Sequence, residues 1–317
     1  MYMTLRQLTL FRAVAEHLSF TRAAAELCLT QPAVSIQIKQ LEGHIGTALF
    51  EQIGKRIYLT DAGRELYAAS KDIFARIDAL EMSLNELQGS IKGQLKLSVV
   101  TTATYFIPHL FSAFLKKHPE VNIRLNVTNR HSTLARLANN EDDLVVMGQV
   151  PDDLTVQTLG QPLPFLENSL VVVAPPDHPL VGQANISLKR LAKETFLVRE
   201  LGSGTRSAME TAFTEHGLVL KTGFEFGSTE AIKQGVCAGL GLSVLSRNTL
   251  ILELAAGTLC ILDVQGFPLQ RSWNVVYLNE KKLSLVARTF LDFLLTQTEQ
   301  VLREANERIT YFRNQAK

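Results

Sequence analysis

Over the first sixty residues apolar positions recur at helical spacing. Leu5, Leu8, Phe11, Val14, Ala15 and Leu18 form one stripe along residues 4–18, and Val34, Ile38, Leu41 and Ile45 form another. Between them Ala23, Ala24 and Leu27 mark the packed side of a shorter helix. Thr30 is a good N-cap and Pro32 falls in the following first turn, where a missing N–H costs nothing. The stretch Ser19–Glu42 therefore predicts two short helices with a tight turn between them. The second would present Pro32, Ser35, Ile36, Lys39 and Gln40, with Gln31 at the edge. A small polar face on a short capped helix suits the floor of a DNA major groove.

Leu49 and Phe50 anchor the exit from this helix, and Gly54–Thr60 reads as the tip and return strand of a hairpin. Its Lys55 and Arg56 are placed for phosphate or the minor groove; standing alone, the same pair would read as a solvated turn. Thr60-Asp61-Ala62-Gly63 then caps a helix running to about Gln88. Leu66, Ile73, Leu80 and Leu87 are spaced by seven, with Ile77 and Leu84 between them, which predicts a dimerisation seam. Charged residues on both sides, among them Arg64, Lys71, Asp72 and Arg76, favour a partner helix over burial within one domain. Gly89-Ser90 and Gly93 end the helix and mark a hinge.

From Gln94 strands alternate with helices. Leu95–Val100, Val121–Val127 and Asp143–Met147 read as strands of a first lobe, and Leu170–Ala174 opens a second series. Trp273–Leu278 reads as a strand returning to the first. Two α/β lobes joined by two crossings make a cleft, and ligands of such sheets bind at the carboxyl ends of strands. The expected organisation is a DNA-binding domain over 1–60, a linker helix over 61–89 and a hinge over 90–93. Lobe I would take 94–162 plus 268–296, lobe II 163–267, and a helical extension 297–317, where Val301, Ala305, Ile309 and Phe312 continue an apolar stripe.

At 317 residues the chain is too long for one ordinary core, and 46% hydrophobic with 20% charged residues describes a globular protein. A net charge of +1 argues against coating nucleic acid through charge alone. Cys28, Cys237 and Cys260 lack metal-ligand spacing and read as small buried residues of a reducing cytoplasm. The N-terminus runs directly into an amphipathic helix, so no leader is expected, and no apolar run is long enough to span a bilayer. Enzyme readings fare poorly. Gly235–Gly241 leads from a helix into a strand, the reverse of a dinucleotide fingerprint, and no phosphate-binding loop of the G-x-x-x-x-G-K type occurs. Ser203 lacks a nucleophile elbow, and His109, His118, His131 and His216 have neither metal spacing nor a nucleophile partner. No catalytic residue and no metal site are expected.

The expected cleft has its own chemistry. Thr101-Thr102 and Ser203-Gly204-Thr205 each sit where a strand hands over to a helix N-terminus, and Asn129 and Thr229 add polar groups from other strand ends. Each hydroxyl alone could be a simple cap. Converging on one cleft, hydroxyls and unpaired N–H groups form a site for a carboxylate or phosphate.

The run Phe11…Ser19-Phe20-Thr21-Arg22-Ala23-Ala24…Thr30-Gln31-Pro32-Ala33-Val34-Ser35…Leu41-Glu42 resembles the signature of LysR-type transcriptional regulators. Gly46–Glu51 and Leu59–Gly63 extend the resemblance, which reaches about residue 295. It implies a multi-domain α+β chain: a winged helix-turn-helix, a long linker helix and a two-lobed α/β effector domain of the periplasmic-binding-protein type. It also implies base contacts from Gln31, Pro32, Ser35 and Ile36, phosphate contacts from Thr21, Arg22 and Lys39, and a place for Thr30 in the same DNA-binding surface. Many relatives have an Arg where Ile36 stands. The effector half is similar to the CbbR branch, regulators of RuBisCO and Calvin-cycle operons, through Thr101–Pro108, Ala174–Pro179, Arg199–Arg206 and Glu230–Gln234. Leu201 and Thr229 depart from that branch, which has Pro and Asn there. The resemblance implies double-stranded promoter DNA, a homodimer or homotetramer and RNA polymerase as partners, with a sugar phosphate or NADPH as effector, in a bacterial cytoplasm. A regulator of another metabolic operon, or a ligand-binding receptor without a DNA role, are the alternatives.

Overall fold

A computed structural model describes residues 3–54, 56–87, 91–150 and 160–315, with the side chains of all but 78–79, 81–83, 85–87 and 308–315. The chain divides into two units, Met1–Leu84 and Asn85–Lys317.

The first unit carries α1 (Leu5–His17), α2 (Phe20–Glu26), α3 (Gln31–Ile45), a hairpin of β1 (Phe50–Ile53) and β2 (Arg56–Leu59), and most of α4 (Asp61–Leu87). Side-chain caps set the helix starts: Thr4 with Gln7 in a capping box, Ser19 for α2 and Thr30 for α3. Gly46, at φ +83°, ends α3 in the left-handed conformation that glycine adopts without a Cβ clash. Phe11, Val14, Ala23, Val34 and Leu41 meet in a fully buried core. The hairpin is pinned to that core at its first residue. The Phe50 ring lies 5.3 Å from Phe11 and 5.7 Å from Phe20, and Glu42 Oε1 accepts the N–H groups of Leu49 (2.8 Å) and Phe50 (3.3 Å).

Gly63 lets α4 pass against the hairpin: a Cβ there would stand 2.1 Å from the Leu49 carbonyl oxygen. Of the expected seam, Leu66 packs on this core, Ile73 and Ile77 are half-buried, and Leu80 and Leu84 are 59% and 51% exposed. Lys55 of the hairpin tip, the Leu87 side chain and Ser90 lie outside the described residues.

The second unit begins with β3 (Gly93–Val100), a 3-10 helix (Thr101–Tyr105), α5 (Ile107–Lys117), β4 (Val121–Thr128), α6 (Arg130–Ala138), β5 (Leu144–Met147) and β6 (Leu163–Glu167). The second lobe follows with β7 (Leu170–Ala174), α7 (Leu188–Leu191), β8 (Thr195–Arg199), α8 (Gly204–Thr214), β9 (Lys221–Phe226) and α9 (Thr229–Cys237). It ends with β10 (Ser243–Ser246), a 3-10 turn (Arg247–Thr249), α10 (Ile251–Ala256) and β11 (Cys260–Ile261), before β12 (Ser272–Val276) and α11 (Leu285–Gln315). Thr101 and Thr102, expected just ahead of a helix, open the 3-10 helix themselves.

The first sheet has the order β4-β3-β5-β12-β6, with β3, β4 and β5 parallel and β12 antiparallel to both its neighbours. In the second lobe β7 lies between β10 and β11, and β8 pairs with β9. Leu197 N–H donates to Leu242 O and Leu242 N–H to Thr195 O, each at 2.8 Å, which ties β8 to the segment entering β10. Leu95, Leu97 and Val99 fill one face of the first sheet with Phe114, Trp273 and Phe290; Val145, Met147 and Val276 fill the other. All five residues of β7 are buried, as expected of a strand covered on both faces.

One expected boundary needs correction. Leu163–Glu167, assigned from sequence to lobe II, is the edge strand of the first sheet, paired with β12. The chain crosses at Asn168–Ser169 and returns at Gln270–Arg271. Asn168 N–H donates to Arg271 O (2.7 Å) and Leu170 N–H to Leu269 O (3.0 Å) across the two crossing strands. Helix α11 runs unbroken from Leu285 to Gln315, so residues 297 onward continue a helix of lobe I, with Leu302 in its core. The cysteines are all free, and Cys28 is exposed rather than buried.

Gly63→Ala is expected to cost the first unit about 2 kcal/mol, because the backbone oxygen that the methyl group meets cannot rotate away. Urea unfolding followed by circular dichroism measures it.

Candidate DNA-reading helix and anion cleft

In the first unit, the buried stripe Val34, Ile38 and Leu41 turns the opposite side of α3 outward. Gln31, Pro32, Lys39 and Gln40 are exposed, Ser35 is half-buried, and Ile36 is 56% exposed. Gln31 Nε2 donates to Ser35 Oγ at 2.8 Å. Thr30 Oγ1 accepts from the Ala33 N–H at 3.4 Å, so its hydroxyl serves as the cap. Thr21 and Arg22 stand exposed in the first turn of α2, and Arg56 is exposed at the start of β2. Among the described residues no carboxylate pairs with Arg22, Lys39 or Arg56.

In the second unit several strand ends meet at one cavity. Thr101 and Thr102 follow β3, Asn129 follows β4, Gly148 and Gln149 follow β5, and Ser203-Gly204-Thr205 opens α8; all line one cavity of about 50 Å³. Ser203 is buried and makes no side-chain cap, which leaves the first N–H groups of α8 without that partner. Asn129 behaves as a cap, its Oδ1 accepting from the Ser132 N–H at 2.9 Å. Thr229 is corrected: it does not line the cavity, because its Oγ1 accepts from Arg199 Nη1 at 2.8 Å.

Sequence reasoning missed the cations. Arg130, Arg199 and Arg271 all line the cavity, far apart in sequence and brought together only by the fold. Arg199, 4% exposed, is bound by Glu200 through Nε (2.7 Å) and Nη2 (2.8 Å), and its Nη2 also reaches Thr101 Oγ1 of the other lobe (3.2 Å). Arg206 in α8 donates to the Arg199 carbonyl (2.9 Å), locking α8 onto the end of β8.

Arg271 and Arg130 differ from Arg199 in having no carboxylate partner among the described residues. Burial, and then the neighbouring Arg130 charge, lower the pKa of Arg271, whose Nη1 donates only to Gln149 Oε1. A guanidinium stays charged through such a shift. Trp273 adds a buried indole N–H with no hydrogen-bond partner among the described residues. Two repelling cations, an unused N–H and an uncapped helix start favour an anion.

A winged helix-turn-helix followed by a two-lobed α/β unit with a cationic cleft defines a class: DNA-binding regulators that carry a small-molecule domain. The profile described as "Bacterial regulatory helix-turn-helix protein, lysR family" matches residues 5–64, and that of the "LysR substrate binding domain" matches 88–299. The chain belongs to the LysR family of transcriptional regulators. It is 47% identical to a RuBisCO operon transcriptional regulator of Allochromatium vinosum, over 95% of this chain and 98% of that protein. It is 48% identical to the transcriptional activator CmpR of Synechocystis, over 94% of this chain and 97% of that one. Among solved structures, the CcmR regulatory domain of Synechocystis, in complex with 2-PG, is 45% identical with a TM-score of 0.62, covering 65% of this chain and 98% of its own. The regulator CbnR, 19% identical with a TM-score of 0.65 over 92% of this chain and 98% of its own, shares the fold. A receptor without a DNA role does not fit the match over residues 5–64. Among the described residues no helix is long and apolar enough to cross a membrane, and no group of His, Cys, Asp or Glu could hold a metal ion.

Glu200→Ala is expected to destabilise the second unit by about 3 kcal/mol, since it strands the Arg199 guanidinium in a buried position. Chemical denaturation of the full chain reads this loss.

Proposed function

We propose that this regulator controls carbon-fixation genes and that its cleft takes a small metabolite bearing a phosphate or carboxylate. The observation that carries the ligand class is the pair Arg130 and Arg271, two guanidinium groups in one cavity with no carboxylate partner among the described residues. The gene class rests on the likeness to RuBisCO operon regulators across nearly the whole chain. A cavity of about 50 Å³ suits a compact anion such as 2-phosphoglycolate; the dinucleotide NADPH is far larger and would need the lobes to part. In calorimetry on the full chain, 2-phosphoglycolate is expected to bind, with Arg271→Ala weakening it about tenfold or more. Unchanged affinity in that variant would remove the carrying observation.

The DNA-reading role belongs to Gln31, Pro32, Ser35 and Ile36 on α3, with Thr21, Arg22, Lys39 and Arg56 toward phosphate; Thr30 contributes by starting the helix. Lys55 joins them on its sequence position. Leu66, Ile73, Ile77, Leu80, Leu84 and Leu87 would form the seam of a dimer, and two dimers a tetramer, so that several heads bind together and offset the weak net charge. Ligand closure of the lobes would then bias the arrangement that reaches promoter DNA and RNA polymerase in the cytoplasm, with no catalytic step. Ile36 is suited to a thymine methyl and cannot make the paired guanine contacts of an Arg. Ile36→Arg is expected to change the preferred base at one position per half-site in a binding-site selection; the same preference from both proteins would count against Ile36 as a reader.

A further inference from the structure

A second cavity lies in the Asn85–Lys317 unit, lined by other residues of the same two elements that support the anion cleft. Thr101 of the first 3-10 helix faces the cleft while Tyr105 lines the second cavity; Thr229 of α9 holds Arg199 while Glu230 and Lys233 line the second cavity. Its volume is about 940 Å³, in the range of small-molecule sites. The remaining walls come from lobe I, the 3-10 turn Arg247–Thr249, α10, and α11 between Glu299 and Glu307.

Its charge is opposite to that of the cleft. Five carboxylates line it, Glu167, Glu230, Glu253, Glu299 and Glu307. Among the described residues, Lys233 and Arg303 are the Lys and Arg side chains that line it with them. Lys233, 3% exposed, is already taken: its Nζ lies 2.8 Å from Glu230 and 2.7 Å from Glu253, and 4.7 Å from the centroid of the Tyr105 ring. One ammonium between two carboxylates leaves the floor negative, and the buried Oε2 of Glu253 has no hydrogen-bond partner among the described residues. Hydrogen bonding from Lys233 holds Glu230 below the usual carboxylate range, so it is ionised at neutral pH. Phe106, Leu166, Ile251 and Leu302 supply an apolar wall, with Leu252 standing 63% exposed, and His109, Asn248, Thr249 and Asn306 add polar groups.

We propose that this cavity binds a small organic cation with an apolar body. Its acidic groups supply the attraction for a protonated amine or guanidine, and the aliphatic wall takes the hydrocarbon. An anion meets net repulsion here, and the carboxylates do not cluster as metal ligands among the described residues. Tyr105 O–H donates to Glu230 Oε2 across the two lobes (3.2 Å), so an occupant touches a contact between the lobes.

The test is calorimetry on the full chain with 2-phenylethylammonium chloride as probe, beside 2-phenylethanol and 3-phenylpropionate as neutral and anionic matches. The ammonium is expected to bind one per chain, with the other two about tenfold weaker or worse. Leu252→Lys and Glu307→Lys, both at exposed positions and checked for an unchanged melting temperature, are expected to weaken it by about tenfold or more. Equal binding of the alcohol or the carboxylate, undiminished binding in both variants, or no ammonium binding to the wild type overturns the proposal. If that last outcome came with a fall in particle mass of Leu252→Lys by light scattering, the cavity would belong to a contact between copies of the chain. The amine titration uses no anion, so its failure and the failure of the cleft reading are separate results.

Discussion

A guanidinium that is 4% exposed must find a partner for its N–H groups, and the second unit is arranged around how Arg199 does so. Glu200 neutralises it from the adjacent position, Thr229 accepts from it at the head of α9, and Thr101 accepts from it across the cleft. Three elements from two lobes are thereby held to one planar group. With its charge cancelled by Glu200, Arg199 serves as framework. That leaves Arg130 and Arg271 as the cations with charge to spare, and explains why one arginine of the three is matched with a carboxylate while two are not.

The N-terminal unit solves a different problem with apolar contacts. A four-residue strand has little of its own to hold it, and β1 is fixed by the Phe50 ring between Phe11 and Phe20 and by the Glu42 carboxylate on two successive N–H groups. The hairpin thus inherits its position from α3. The residue that ends the buried stripe of the reading helix, Leu41, is followed directly by the one that anchors the wing.

Much of this was legible because it is local. Caps at Thr4, Ser19 and Thr30, stripes at helical period and the glycine after Ile45 all act within a few residues of themselves. The misplaced boundary at residue 163 shows the limit: β6 buries only Phe165 of its five residues, a pattern either sheet could accept, and its partner lies over a hundred positions away in β12. The cleft was half legible. Hydroxyls beside helix starts announce themselves by local pattern, whereas Arg130 and Arg271 are ordinary charged residues until the sheet order places β4 and β12 at the same cleft. Thr229 was found in the right place with the wrong partner, since nothing in its neighbourhood reveals that Arg199 claims its oxygen.

The hydrogen bond from Gln31 to Ser35 has a consequence for how α3 discriminates. In the free protein each of these side chains already has a partner, so taking up a base is an exchange reaction rather than the filling of an empty valence. Such exchanges are nearly balanced when the new bonds are well made and costly when they are not. For a helix that read bases through these two side chains, a correct sequence would add little grip and an incorrect one would cost a good deal.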